Sequence, residues 1–188
     1  SGFDTSAIGF ASDNNSVLVT GSNSLLSVTG GGTTLIVGYD GASNSLVIAD
    51  GGRVLSISGI IGFTNTAGLA IDNSALVTGA GSRWDNVNGL FVGFKSGNST
   101  LTVADGGTVD AGFTFDIASQ AGSSGTLNLG RFGTNDTAGT ILAPTIAFGA
   151  GTGVINFNQS DAVTITSVIS GAGTLNQLGS GTTILSAS

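Results

Sequence analysis

The chain has 188 residues, 33 of them glycine and one proline, with no cysteine, no histidine and a net charge of −7. All eleven acids are aspartate, so a Ser-His-Asp triad, a Cys-His pair, a zinc site with N or S ligands and a glutamate acid/base pair are excluded. The four cations, Arg53, Arg83, Lys95 and Arg131, form no basic stripe, which argues against nucleic acid and against an anionic membrane surface.

Ile8-Gly9-Phe10 opens a first unit, in which Asn15-Ser16 precedes the apolar run Val17-Leu18-Val19. A second copy runs from Leu35 to Val54, LIVGYDGASNSLVIADGGRV. Ile61-Gly62-Phe63 opens a third, followed by Leu69-Ala70-Ile71 and by Asn73 to Gly79, which repeats Asn15 to Gly21 at an offset of 58. Leu90 to Val109, LFVGFKSGNSTLTVADGGTV, repeats the second copy at an offset of 55 with no gap. The change from 58 to 55 points to three residues lost between Gly79 and Leu90, in a loop. Beyond Ile117 the pattern drifts through Gly125 to Gly130, Ile141-Leu142, Ile146 to Phe148, Val154 to Phe157 and Val163 to Ile165. Pro144 falls at a corner where no amide is needed.

The apolar runs alternate with period two and are bounded by Gly, Asn, Asp and Ser, so they are strands; nothing carries the 3.6-residue spacing of an amphipathic helix. A fixed period means equivalent stacked layers, because no single unit buries its own core. The expected fold is all-β, a β-solenoid with rungs of roughly 20–29 residues. Leu46, Ile48, Leu101 and Val103 are expected to point inward, with Val54 and Val109 starting the next face. Asn44 and Asn98 are expected at equivalent turns, stacking their amides, and Phe10, Tyr39, Phe63 and Phe94 as an aromatic stack in the core. Residues 1–188 read as one continuous segment, with clear double-rung repeats over 1–118 and divergent rungs over 119–188.

Val77 to Val109 resembles the repeat of bacterial autotransporter passenger domains, through Gly79-Ala80-Gly81-Ser82-Arg83-Trp84, Leu90-Phe91-Val92-Gly93-Phe94 and Leu101 to Gly107. Gly171 to Leu175, with Gln177 and Gly179 to Thr183, is similar to the passenger-associated repeat nearer the translocator. The resemblance implies a right-handed parallel β-helix displayed at the Gram-negative cell surface, anchored through an outer-membrane barrel that is not in this chain. It implies a non-enzymatic adhesive rod or stalk that meets a matrix protein, a glycan or a neighbouring cell-surface molecule, or associates with itself. The family carries no common catalytic set, so no site is transferred.

The residues themselves offer little chemistry and no cofactor. Asp50 and Asp105 recur within Ala-Asp-Gly-Gly while Arg53 does not, which favours a turn role over catalysis. No calcium nonapeptide register is present. Gly149 to Gly153 lacks the following lysine of a phosphate loop and reads as a corner. Arg83, Trp84 and Asp85 are the candidate surface binding residues, with Trp84 either stacking on a sugar or shielding the core. The competing function is a β-helical enzyme acting on an acidic polysaccharide, which a groove of clustered aspartates and cations would favour.

Overall fold

A computed structural model describes residues 5–30, 33–65 and 70–187. Their secondary structure is all β, and the strands within each of the three sheets pair in parallel. A seven-stranded sheet stacks Ser16–Thr20, Ser45–Ala49, Ser74–Thr78, Ser99–Ala104, Ser124–Leu129, Thr152–Phe157 and Gly173–Gln177. A two-stranded sheet pairs Ala162–Ile165 with Thr182–Leu185, and a ten-stranded sheet holds the other strands, its long members Arg53–Phe63 and Arg83–Val92 running through an elbow. Before the elbow they pair with Leu25–Val28 and Thr108–Asp110; beyond it they pair with Thr34–Tyr39 and Thr114–Ile117. The elbow carries a register shift between Ser56 and Ser58, the local irregularity that lets one strand turn a corner. Pro144 lies at the same elbow between Thr140–Leu142 and Thr145–Phe148, where its carbonyl accepts from the Val168 amide at 3.0 Å.

Ser16 faces Ser45 and Ser45 faces Ser74, two coils of 29 residues. Ser74 then faces Thr100, a coil of 26. The offset of 58 is therefore two long coils, and that of 55 is one long and one short. Counted over two coils, Val28 stands over Ser56 and Asn86 at the offset of 58, whereas Thr34 stands over Ser58 and Gly89 at the offset of 55. The three residues are therefore lost between Gly79 and Leu90, as expected, and the place is the elbow between Asn86 and Gly89, where the register is already irregular.

Alternate residues of each strand fill the interior. Leu46, Ile48, Val54, Leu101, Val103 and Val109 are all fully buried. Each such Leu, Ile or Val contributes about 1.5–3 kcal/mol by leaving water. Of the run Leu69-Ala70-Ile71, Leu69 lies outside the described residues, Ala70 is buried and Ile71 is 38% exposed.

The repeated motifs explain the corners. Asp50 and Gly51 both have positive φ and the Gly52 amide donates to the Ala49 carbonyl at 2.9 Å, the φ pattern of a type I′ turn. Gly52 has a different reason to be glycine: a Cβ there would sit 2.3 Å from the Val19 carbonyl oxygen of the coil before. Asp105, Gly106 and Gly107 repeat this arrangement. The Asp side chains reach sideways to the preceding coil, where the Thr20 and Thr78 hydroxyls donate to them.

The amide ladder exists, but one residue away from the expected pair. Asn44 stacks with Asn15 and Asn73, not with Asn98. The Asn15 amide donates to Asn44 Oδ1 and the Asn44 amide to Asn73 Oδ1, each at 2.9 Å. Ser99 holds the next place, buried and bonded to Ser96. Asn98 occupies the preceding column with Asn14, Ser43 and Asp72, all at positive φ. Gly9 and Gly38 make room for the ladder, because a Cβ on either would lie within 2.2 Å of the Asn44 or Asn73 side chain.

The aromatic residues do stack, with centroids 4.8 Å apart for Phe10 and Tyr39, 5.0 Å for Tyr39 and Phe63 and 5.7 Å for Phe63 and Phe94. They are not in the core. Each follows a glycine at positive φ that ends the alternation, so the ring comes out on the corner, and Phe10 is 65% exposed.

Candidate binding groove

Of the three flagged residues, Trp84 is not at the surface. It is fully buried, in register with Val54 and Val109 on the inner side of the ten-stranded sheet. Its Nε1–H donates to Ser56 Oγ at 3.1 Å, and Ser56 donates to Asn86 Oδ1 at 2.8 Å. A buried indole needs such an acceptor. The space comes from Gly59, where a Cβ would meet Trp84, Asn86 and Leu90 within 2.7 Å. Trp84 is therefore a core residue, and the shielding alternative describes it.

Arg83 and Asp85, on either side of it, point the other way because a strand alternates. Parallel register adds two residues that the sequence reading left out: Arg53 lies beside Arg83, and Asp110 beside Asp85. Arg53 Nη2 donates to Asp85 at 3.0 Å and Arg83 Nη2 to Asp110 at 3.1 Å, while Arg83 Nε–H donates to Asp85. These four charges line a groove of about 610 Å³ together with Leu55, Asn86, Val87 and Gly112. The volume lies within the ~300–1,000 Å³ of ordinary ligand sites. Pairs this exposed, with Arg53 at 57%, contribute at most about 1 kcal/mol each to stability. Folding therefore gives little reason to place two of four cations here.

The other charged groups lie elsewhere. Arg131 bridges Asp105 at 3.2 Å and Asp136, whose carboxyl it holds below the usual range by hydrogen bonding. Lys95 Nζ lies 5.8 Å from the Phe63 ring centre, within cation–π reach. Asp116 faces outward in register with Phe91 and Ala147, and burial raises its pKa. Among the described residues no group of three His, Cys, Asp or Glu side chains is placed to hold a metal ion. At Gly149 and Gly151 a Cβ would strike the carbonyl oxygens of Ala118 and Ser123 at 2.5 and 2.4 Å, so that stretch is a tight corner against the preceding coil.

Stacked parallel coils with one charged groove on an elbow define a β-solenoid, a fold consistent with an autotransporter passenger. The chain is a relative of an autotransporter adhesin. It is 32% identical over 132 residues to the adhesin BmaC autotransporter of Brucella suis biovar 1 (strain 1330), a match covering 68% of this chain and 4% of that protein. The chain thus spans a small fraction of the curated relative it matches. No family model and no solved structure matches it.

Proposed function

We propose that this chain is part of a surface-displayed, non-enzymatic autotransporter rod, one continuous solenoid over residues 1–188 that contributes to adhesion or carries an adhesive tip. The observation that carries the reading is the match to an autotransporter adhesin, on a chain whose described residues stack into one β-solenoid. It supports a surface, adhesin-like role and a Gram-negative cell-surface location, with the anchoring barrel outside this chain. The partner is a matrix protein, a glycan or a molecule on a neighbouring cell, met along exposed faces such as that of Arg83 and Asp85. Fusing the chain to an outer-membrane barrel in a non-adherent Gram-negative host tests this directly. Displayed protein should raise attachment to immobilised matrix protein, to host cells or between bacteria; display without any such gain refutes the proposal.

One observation favours a second reading, cleavage of an acidic polysaccharide. Asp85, Asp110, Arg53 and Arg83 converge in one groove, an arrangement of acids and cations that such chemistry uses. Both carboxylates are already held by arginine, which suits a fixed recognition surface better than a proton carrier. Incubation with polygalacturonate, followed by measurement of new reducing or unsaturated ends, separates the two. Turnover abolished by Asp85→Asn or Asp110→Asn would replace the non-enzymatic reading.

A further inference from the structure

Resting on the adhesive reading, we infer that the elbow groove is a binding site for a neutral, polyhydroxylated saccharide. Three features of the groove support this. The first is charge. Arg53 and Arg83 face Asp85 and Asp110, so the cluster has no net charge, in a chain whose net charge is −7. An anionic ligand would meet two carboxylates and a repulsive field, and a cationic one would meet two guanidinium groups. A hydroxyl-rich, uncharged ligand avoids both, because each hydroxyl both donates to carboxylate and accepts from guanidinium.

The second feature is rigidity. Arg83 is tied to two carboxylates and Asp85 to two arginines, so the polar heads are fixed before a ligand arrives. Fixed side chains lose less freedom on binding, which offsets the weakness of hydroxyl hydrogen bonds. Asp85 and Asp110 are separated by one coil, about 4.8 Å, a spacing suited to neighbouring hydroxyls of one sugar or of adjacent units.

The third is apolar surface at the same place. Leu55 and Val87 line the groove, and Val87 is 48% exposed. The C–H face of a sugar ring packs against these two apolar side chains. Gly112 has to be glycine here, since a Cβ would lie 2.4 Å from the Val87 carbonyl oxygen.

The test is a titration of the ¹⁵N-labelled chain with four oligosaccharides, followed by amide chemical shifts. Cellohexaose and maltohexaose are neutral, hexagalacturonate is anionic and a glucosamine hexamer is cationic. At least one neutral oligomer should shift the amides of Asp85 to Val87 and Asp110 to Phe113, with a Kd of about 1 mM for so shallow a site. Val87→Ala and Arg53→Ala should each weaken it about tenfold with the rest of the spectrum unchanged, since both side chains are about half exposed. The inference is overturned by neutral oligomers that leave these amides unmoved at about 10 mM, tenfold above that Kd. Shifts centred elsewhere, or tighter binding of either charged hexamer here, overturn it equally. Attachment of displayed cells that persists in Val87→Ala and in Arg53→Ala removes the saccharide site as the adhesive contact and leaves adhesion itself standing.

Discussion

The corner built from Gly38 and Asn73 provides the sharpest test of how the coils are held together. Gly38 sits at φ +78°, and a Cβ added there would lie 2.1 Å from Asn73 Cγ. Gly38→Ala therefore has two costs. A left-handed backbone with a side chain costs roughly 1–2 kcal/mol. Displacing the Asn73 amide also strips partners from two buried groups, the Asn44 amide that donates to its Oδ1 and the Gly41 carbonyl that accepts from its Nδ2. Each orphaned group costs about 1–3 kcal/mol. The expected loss is about 3–8 kcal/mol for Gly38→Ala and about 2–6 kcal/mol for Asn73→Ala. With Asn73 already alanine, the clash is gone and Gly38→Ala should cost only the backbone part, roughly 1–2 kcal/mol. Urea denaturation read by the fluorescence of Trp84, the single and fully buried tryptophan, measures all four species. The two changes should be coupled by about 2 kcal/mol or more; additivity within about 0.5 kcal/mol would refute the account of the corner.

Trp84→Phe removes the Nε1 donor to Ser56 and leaves part of the space opposite Gly59 empty, so circular dichroism should report a loss of about 1–3 kcal/mol. Asp116 has its folded pKa raised by burial, so its contribution is most favourable below the unfolded value of 3.8 and is lost as pH rises through the folded value. Asp116→Asn should accordingly raise the urea midpoint at pH 7, with the gain vanishing as pH falls below about 3.8. Asp136 behaves oppositely, since Arg131 lowers its folded pKa, so its contribution is fully present above the unfolded value of 3.8 and is lost as pH falls through the folded one. Asp136→Asn should lower the midpoint at pH 7, and the two proteins should converge as pH drops below about 3.8.

The solenoid was legible because stacking imposes like residues at like places, and Ala-Asp-Gly-Gly at 49 and 104 sits in the same type I′ turn both times. What misled was matching letters instead of columns. The gapless offset of 55 already puts Asn44 on Ser99, yet the identity of the residues drew Asn98 into the pair. Arg53 was hidden for a related reason. One additional residue between Thr78 and Arg83 shifts the register, so the two arginines meet only once the strands are paired. Period two placed Leu46 and Ile48 correctly. It failed at Phe10 and Tyr39 because a positive-φ glycine interrupts the alternation just before each ring. Trp84 obeys the alternation, and the flanking charges of Arg83 and Asp85 are what made a core residue look like a surface one.

The same stacking also explains why charge is concentrated at the elbow. In a parallel solenoid each outward residue lies directly beside its equivalents one coil away, and like charges at that spacing repel. The outer columns of the seven-stranded sheet avoid the problem. Ser16, Ser45, Ser74, Thr100, Thr126, Val154 and Thr174 form one, and Leu18, Val47, Leu76, Thr102, Asn128, Asn156 and Asn176 the next, without a charge in either. Asn156 and Asn176 even turn the stacking to advantage, each donating to the amide oxygen one coil back at 2.9 Å. At the elbow, Arg53 stacks on Arg83 and Asp85 on Asp110, two unfavourable columns side by side. Only their opposite signs make the arrangement tolerable, each column neutralising the other through the Arg53–Asp85 and Arg83–Asp110 pairs. Removing either aspartate strands an arginine column, so the four residues must be retained together. The two outer columns of the seven-stranded sheet carry no charge, and each pair of this square contributes at most about 1 kcal/mol to stability, which is the reason to look there for what the rod touches.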